Sequence, residues 1–193
     1  MNYLRKYVRG QVLVGVSMLA LLAAVPAAWA QSKTESQLIA DLNSGDAHKI
    51  IDAFQDFEKH YPTSTGVVPY IKKFLNDTDE PVKRKAAREA GLFHVDLSPA
   101  ELKQVCALLS SSNPRAVVDA LKALRDLKKP EVIPDILPCL SNSNKNVLRD
   151  ACRTLAVLGN KDLIPSIEPL LHHSDSAVQK DARDAISKLQ SKS

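Results

Sequence analysis

The feature that most constrains this chain is an internal repeat of 31 residues. Three segments align without gaps: SNPRAVVDALKAL from residue 112, SNKNVLRDACRTL from residue 143 and SDSAVQKDARDAI from residue 174. Two looser copies begin at residues 45 and 78. Self-similarity at a period of about 20 to 50 residues is the signature of repeat architectures, in which each unit is one supersecondary element. The sequence therefore predicts a stack of similar units that share one core.

A leucine marks the same point in each unit. These marker leucines are Leu42, Leu75, Leu109, Leu140 and Leu171. Four positions later each unit carries an aspartate or asparagine, the residues Asp46, Asp79, Asn113, Asn144 and Asp175. Such side chains accept free backbone N–H groups at a helix start. Apolar residues 11, 15 and 18 positions after each marker share one helical face. The first helix of each unit therefore begins just after the cap.

A second helix is predicted to end at each marker leucine. Apolar residues lie one, four and seven positions before Leu140 and Leu171, a helical rather than an alternating pattern. Three prolines, Pro69, Pro134 and Pro165, share one column early in this helix, where a missing N–H costs little. Capping boxes at residues 34–37 and 98–101 predict two further helix starts. We therefore expect ten helices: one opening helix, four antiparallel pairs and a closing helix near residues 175–190.

The unit resembles the short HEAT repeat of PBS-lyase-type HEAT proteins. Its pattern of V-x-x-x-A-x-x-x-L followed by I-P-x-L-x-x-L-L is present here as Val147, Ala151, Leu155, Ile164-Pro165, Ile167 and Leu170-Leu171. The resemblance covers about residues 42–190, and the first two units are degenerate, with Lys49 and His60 in columns that are otherwise apolar. It implies an all-α fold, an α-α superhelix of four to five helix pairs. The repeat domain is predicted over 31–193, with units near 42–74, 75–108, 109–139, 140–170 and 171–190.

The first thirty residues have the pattern of a secretory signal peptide. Three basic residues precede an apolar run over residues 12–24, and Ala28-Trp29-Ala30 then places small residues where a signal peptidase reads them. The alternative is an uncleaved membrane anchor, but Pro26 and the cleavage motif favour removal. We expect cleavage after Ala30, export to the periplasm or secretion, and no stable membrane span afterwards.

The charge balance argues against nucleic-acid binding. The chain has 26 lysines and arginines against 22 acids, and three of the basic residues lie in the signal segment, which leaves a mature net charge of +1. Nucleic-acid binding depends on neutralising phosphates, and aromatic residues are only 5% of the sequence. We therefore expect no nucleic-acid partner.

Nothing in the sequence indicates a catalytic residue, a cofactor or a metal site. Nucleophile elbows, Walker loops and dinucleotide motifs are absent from the sequence. The cysteines Cys106, Cys139 and Cys152 match no zinc or redox motif and stand where other units have leucine. They are interpreted as core residues, with a disulfide or a reactive thiol as alternatives. Phycobilin lyases share the repeat pattern, but the resemblance to them lies in the repeat alone, and predicted export does not suit their task.

The resemblance implies a binding groove lined by the second helices. Candidate partner-binding residues on this concave face are Tyr70, Lys73, Gln104, Asp135 and Ser166. The face is expected to be basic towards the N-terminus and acidic towards the C-terminus, with an ordinary solvated surface as the alternative. The leading hypothesis is an exported scaffold that binds another protein or peptide. The alternative is a metal- or thiol-dependent enzyme whose site assembles only in three dimensions.

One acidic column is predicted to be structural. Asp119, Asp150 and Asp181 lie ten positions after their marker leucines. Lys122 and Arg153 follow the first two by three positions, which is a spacing for ion pairs on one helix. The resemblance further implies an Asp/Arg ladder that joins neighbouring repeats.

Overall fold

A computed structural model describes residues 32–192, and the predicted signal peptide at 1–30 lies outside the described residues. Within 32–192 the chain forms ten α-helices and no β-strand, which confirms the all-α prediction. The helices are α1 (Glu35–Leu42), α2 (Ala47–His60), α3 (Val68–Phe74), α4 (Glu80–Leu92), α5 (Pro99–Ala107), α6 (Pro114–Leu127), α7 (Ile133–Ile136), α8 (Lys145–Leu158), α9 (Ile164–Ile167) and α10 (Ser176–Gln190).

The helices form two layers. The first helices of the units, α2, α4, α6, α8 and α10, each pack against the next one in the series. The second helices α3, α5, α7 and α9 each pack on the first helix that follows them in the chain, and α1 packs on α2. One continuous apolar core therefore runs between the layers, as expected for units that cannot bury their apolar faces alone.

The helix starts follow the sequence closely. All five predicted N-cap side chains accept backbone N–H groups of the first turn. Both predicted capping boxes are present, with Thr34 and Gln37 opening α1 and Ser98 and Glu101 opening α5. Each cap satisfies donors that would otherwise lack a partner, so the register of the repeats is set locally.

Small residues allow the first helices to approach one another. The alanine column, Ala53, Ala86, Ala120, Ala151 and Ala182, is fully buried. α4 and α6 approach each other closely at Gly91, where an added Cβ would lie 2.8 Å from Cα of Ala123. A side chain larger than hydrogen has no room there. Gly91 is therefore a packing residue that the repeat pattern alone does not reveal.

The second helices of the third and fourth units are interrupted. α7 changes to 3-10 geometry over Leu137–Ser141, and α9 does so over Glu168–His172. Pro138 and Pro169 explain the change, because each lacks the N–H that an α-helix needs and its ring clashes with the carbonyl four residues earlier. α5 has no second proline and remains α-helical from Pro99 to Ala107.

Among residues 32–192, no helix has both the length and the apolar character that a membrane crossing requires.

Candidate binding face

The predicted binding residues lie on the second-helix layer, with different degrees of exposure. Lys73, Asp135 and Ser166 are exposed, whereas Tyr70 and Gln104 are half-buried. We call the outward side of α3, α5, α7 and α9 the second-helix face. Its use by a partner stays a prediction.

Tyr70 is tied to the opening helix. Its hydroxyl accepts a hydrogen bond from Nδ2 of Asn43 at 2.8 Å, and Asn43 also donates to the carbonyl of Ile39. The ring packs partly against the core. Tyr70 therefore joins α3 to the end of α1 and presents only part of its ring to a partner.

Two lysines of α3 are held in different ways. Lys73 places its ammonium 4.9 Å from the centre of the Phe74 ring, a cation–π distance. Lys72 forms an ion pair with Glu101 of α5 at 3.4 Å. Lys73 thus keeps its charge at the surface, and Lys72 is largely neutralised by its neighbour.

A cleft of about 440 Å³ separates α5 from α7 and lies at the centre of this face. Its floor consists of the buried side chains Leu97, Leu102 and Val132. Its remaining lining residues are Pro99, Lys103, Cys106, Lys129, Glu131 and Asp135. We call this feature the α5–α7 cleft. Apolar clefts of this size with a few polar groups at the edge are typical of binding sites.

The charges of the cleft have opposite signs on its two walls. Lys103 is exposed on the α5 side, and Glu131 and Asp135 are exposed on the α7 side. Lys129 is half-buried and lies 3.6 Å from Asp96. Among the charged residues of the cleft that have no ion-pair partner within residues 32–192, the sign therefore differs between the two sides.

The three cysteines are free thiols with raised pKa values. Burial and the neighbouring Asp135 carboxylate raise the pKa of Cys106 to about 12. Burial raises the pKa of Cys139 to about 11, and burial together with the Asp181 charge raises that of Cys152 to about 12. A nucleophilic or metal-binding thiol needs a lowered pKa instead.

Ion pairs between repeats occupy the first-helix side. Arg84 lies 3.3 Å from Asp119, Arg125 lies 3.4 Å from Asp150, and Asp181 binds two arginines of α8. These are Arg149 at 2.7 Å and Arg153 at 3.0 Å. The implied Asp/Arg ladder is therefore present, and each rung joins one first helix to the next.

The predicted pairs within single helices are only partly right. Asp150 and Arg153 lie 4.0 Å apart, at the limit of an ion pair. Asp119 pairs with Arg84 of the preceding unit, and no ion pair with Lys122 occurs in the described chain. Asp119 pairs with the arginine of the preceding unit because α4 packs closely on α6. This packing brings the long side chain of Arg84 to the carboxylate.

A larger cavity, of about 610 Å³, lies on the first-helix side at the starts of α6 and α8. The ladder residues Arg84, Asp119 and Asp150 line it together with Arg115 and Lys122. Its carboxylates Asp119 and Asp150 are already paired with arginines that join the repeats. We place the candidate site at the smaller α5–α7 cleft, where the carboxylates Glu131 and Asp135 have no ion-pair partner within residues 32–192.

Two polar residues inside the stack are not indicated by the motif. Thr154 donates its hydroxyl hydrogen to the carbonyl of Leu121 at 3.1 Å. Glu89, in the same repeat column, is completely buried. Burial raises the pKa of Glu89 to about 7. The sequence did contain a signal for both residues, because the third and fifth units have alanine at the same position of the repeat. A polar residue in that position is therefore expected to face the core.

Residues 32–192 contain no group of three or more histidines, cysteines or acids arranged to hold a metal ion. Of the five predicted partner-binding residues, Asp135 lines the α5–α7 cleft, together with Lys103 and Cys106, and the other four are not part of its lining.

Comparisons with known proteins agree with this architecture. Residues 133–193 match the family model described as HEAT repeats. Among curated proteins, no sequence matches the chain significantly. The fold is a HEAT- and armadillo-like helical solenoid, as the following solved structures show.

The complex of CpcE and CpcF of phycocyanin lyase from Nostoc sp. PCC7120 is similar, with a TM-score of 0.70 and 22% identity over 86% of this chain and 69% of that chain. An engineered protein has a TM-score of 0.63 and 22% identity, covering 80% of this chain and 78% of that chain. Computationally designed armadillo repeat proteins for modular peptide recognition give a TM-score of 0.59 and 17% identity, over 80% of this chain and 81% of that chain. At these identities the likeness establishes the fold alone.

Proposed function

We propose that this chain is an exported scaffold that binds another protein or a peptide through its second-helix face. The observation that carries the proposal is the α5–α7 cleft, which combines a buried apolar floor with exposed charges at its edges. Apolar floors supply affinity and polar rims supply orientation in protein interfaces. The designed armadillo proteins, whose stated purpose is peptide recognition, show that a similar fold suits this task.

Export is part of the proposal and depends on the sequence at 1–30. The basic start, apolar run and Ala28-Trp29-Ala30 motif support removal of this segment by a signal peptidase. Mass spectrometry of the protein recovered from its own cells checks it, since cleavage after Ala30 makes Gln31 the first residue. A chain that retains Met1 would contradict this part of the proposal.

Binding is supported better than catalysis. Thiol chemistry requires a thiolate, and the pKa of each cysteine is raised rather than lowered. The phycocyanin lyase complex shares the fold at 22% identity, and its reaction belongs to that protein. A scaffold needs only a stable stack and an accessible face, which are the properties described above.

Site-specific photo-cross-linking in the native envelope tests the proposal. A photoreactive residue replaces Gln104 or Ser166 on the second-helix face, and Asn146 on α8 serves as the matched control. The scaffold model predicts a discrete cross-linked polypeptide from Gln104 and Ser166 and much less from Asn146. Equal or stronger cross-linking from Asn146 would contradict it, as would the absence of any cross-linked species from all three positions.

A further inference from the structure

We propose that the segment bound in the α5–α7 cleft is a polypeptide of mixed charge, with an acidic side chain on the α5 wall and a basic side chain on the α7 wall. The inference rests on the proposed function and adds the chemistry of the ligand. Its basis is the opposite charge of the two walls across one apolar floor.

The charges at the walls are available to a ligand. Lys103, Glu131 and Asp135 are all exposed, and none of them forms an ion pair within residues 32–192. Two nearby lysines are instead paired with acids of the same chain: Lys72 pairs with Glu101, and Lys129 pairs with Asp96. The unpaired groups therefore set the electrostatic preference of the cleft.

The floor requires an apolar group between the two charges. Leu97, Leu102 and Val132 are at most 6% exposed yet line the cleft, so they can be covered from outside. A side chain laid on them covers the little apolar surface that they still expose and packs against them. The expected ligand sequence is thus an acidic residue and a basic residue separated by apolar ones.

The same polarity continues along the rest of the second-helix face. Lys73 is exposed on the N-terminal side of the cleft. Asp162 and Glu168 are exposed on the C-terminal side, with Lys161 as the exception to the acidic character. A longer segment would therefore keep its acidic end over α3 and α5 and its basic end over α7 and α9.

This polarity favours a polypeptide over other ligands. A nucleic acid would meet repulsion from Glu131, Asp135 and Glu168, because its backbone carries only negative charge. A second copy of this chain is the alternative occupant, since a face with two opposite halves is complementary to itself under a two-fold rotation. The experiment below separates the two.

Synthetic fluorescent peptides are the probe. The first peptide has a glutamate-rich half and a lysine-rich half joined by leucines. Control peptides have the same composition with alternating charges, or contain only one type of charge. Binding to the full chain is measured by fluorescence anisotropy at low and high salt. We expect the block peptide to bind more tightly than the alternating one, and salt to weaken the difference.

Charge reversal of one wall should change the preference. Lys103→Glu makes both walls acidic, so affinity for the block peptide should fall about fivefold and that for the all-lysine peptide should rise. Asp135→Lys should raise affinity for the all-glutamate peptide. Lys180→Glu and Asp184→Lys on α10 make the same charge changes at exposed positions remote from the cleft in the sequence. They should leave the order of the peptides unchanged.

Protection of Cys106 supplies a second readout. Cys106 lines the cleft and is half-exposed, whereas Cys139 and Cys152 are buried. The block peptide should slow alkylation of Cys106 and leave the other two thiols unaffected. This pattern would place the peptide in the cleft rather than elsewhere on the surface.

Three outcomes would overturn the inference. The first is an effect of Lys103→Glu no larger than that of Lys180→Glu, and the second is equal binding of block and alternating peptides. The third is a salt-sensitive dimer of the chain that Lys103→Glu abolishes, because it assigns the cleft to a second copy. Cross-links from Gln104 and Ser166 to another polypeptide would still support the proposed function in the first two cases, so the two failures are distinguishable.

Discussion

The ammonium of Lys85 lies 2.6 Å from Oε1 of Glu89, inside a part of the stack where Glu89 is 0% exposed. Lys85 is the cation in direct contact with this carboxylate, and Oε2 of Glu89 has no hydrogen-bond partner within residues 32–192. Lys85 also lies 3.2 Å from Glu58 of α2 and shares its charge between two acids. Glu89 is therefore an incompletely compensated buried charge.

The surroundings of Glu89 explain its raised pKa. Burial is the main cause and the nearby Glu58 adds to it, while Lys85 and Arg88 oppose it. Arg88 is itself bound to Asp126 of α6 at 2.6 Å. The pKa rises from 4.5 in the unfolded reference to about 7 in the folded protein. The protonated form is thus favoured by folding, so this stabilisation is complete below pH 4.5 and lost as the pH rises through about 7.

Glu89→Gln should raise the free energy of unfolding at pH 8 by up to roughly 3 kcal/mol, because it removes a buried charge. At pH 4.5 the variant and the parent should differ much less, since the parent carboxyl is then largely protonated. Urea denaturation at the two pH values measures both. Glu58→Gln changes the exposed acid on the same lysine and should have a small effect. An equal effect of Glu89→Gln at both pH values would contradict the assignment.

Gly91→Ala should destabilise the stack by about 1 to 3 kcal/mol through overpacking, despite the higher helix propensity of alanine. The added Cβ would lie 2.8 Å from Cα of Ala123 and 3.1 Å from its carbonyl oxygen. Thermal denaturation measures the loss. Adding Ala123→Gly should not restore stability, because the clash is with the backbone of α6. Full recovery of stability on adding Ala123→Gly would show that the clash is with the Ala123 side chain and would contradict the backbone contact.

Asp181→Asn should weaken the attachment of α10 to α8 by about 1 to 3 kcal/mol, since the carboxylate is buried beside two arginines. Asp181 is 8% exposed and accepts from Nε of Arg149 at 2.7 Å. Asp184→Asn, on an exposed position of the same helix, is the matched control and should be nearly neutral. Limited proteolysis near the C-terminus, followed by mass spectrometry, reports release of α10. Equal protease sensitivity of the two variants would exclude the ladder as a stabilising feature.

Native alkylation of the three cysteines at pH 8 should be at least about 100-fold slower than in urea, because thiols with pKa values of 11 to 12 contain little thiolate. Cys106 should react before Cys139 and Cys152, as it is half-exposed. Peptide mass mapping after timed quenching gives the three rates. Rapid reaction of Cys106 in the native protein would indicate a reactive thiolate and would support the thiol-enzyme alternative.

The sequence predicted the local features of this fold well. Five N-caps and two capping boxes depend on residues two or three positions apart, so spacing alone identifies them. The alanine column repeats five times and reports how closely the first helices pack. Features of this kind need no knowledge of how one helix is placed beside another.

The features that helix periodicity does not predict depend on placement between helices. Arg84 reaches Asp119 from the preceding unit, 35 positions away, a partner that helix periodicity cannot select over Lys122. Tyr70 of α3 meets Asn43 at the end of α1, 27 positions away, and Glu89 becomes buried because α2 and α6 both cover α4. The candidate cleft also depends on placement between helices, because its walls come from α5 and α7, which lie side by side only in the folded stack.

Hydrogen exchange of the chain with its cross-linked polypeptide tests the central claim most directly. The account predicts slower amide exchange in Pro99–Ala107 and Ile133–Ile136, the helices that flank the cleft. Little change is expected in Lys145–Leu158, which belongs to the other layer. Protection confined to Lys145–Leu158 and the other first helices would contradict binding through the second-helix face.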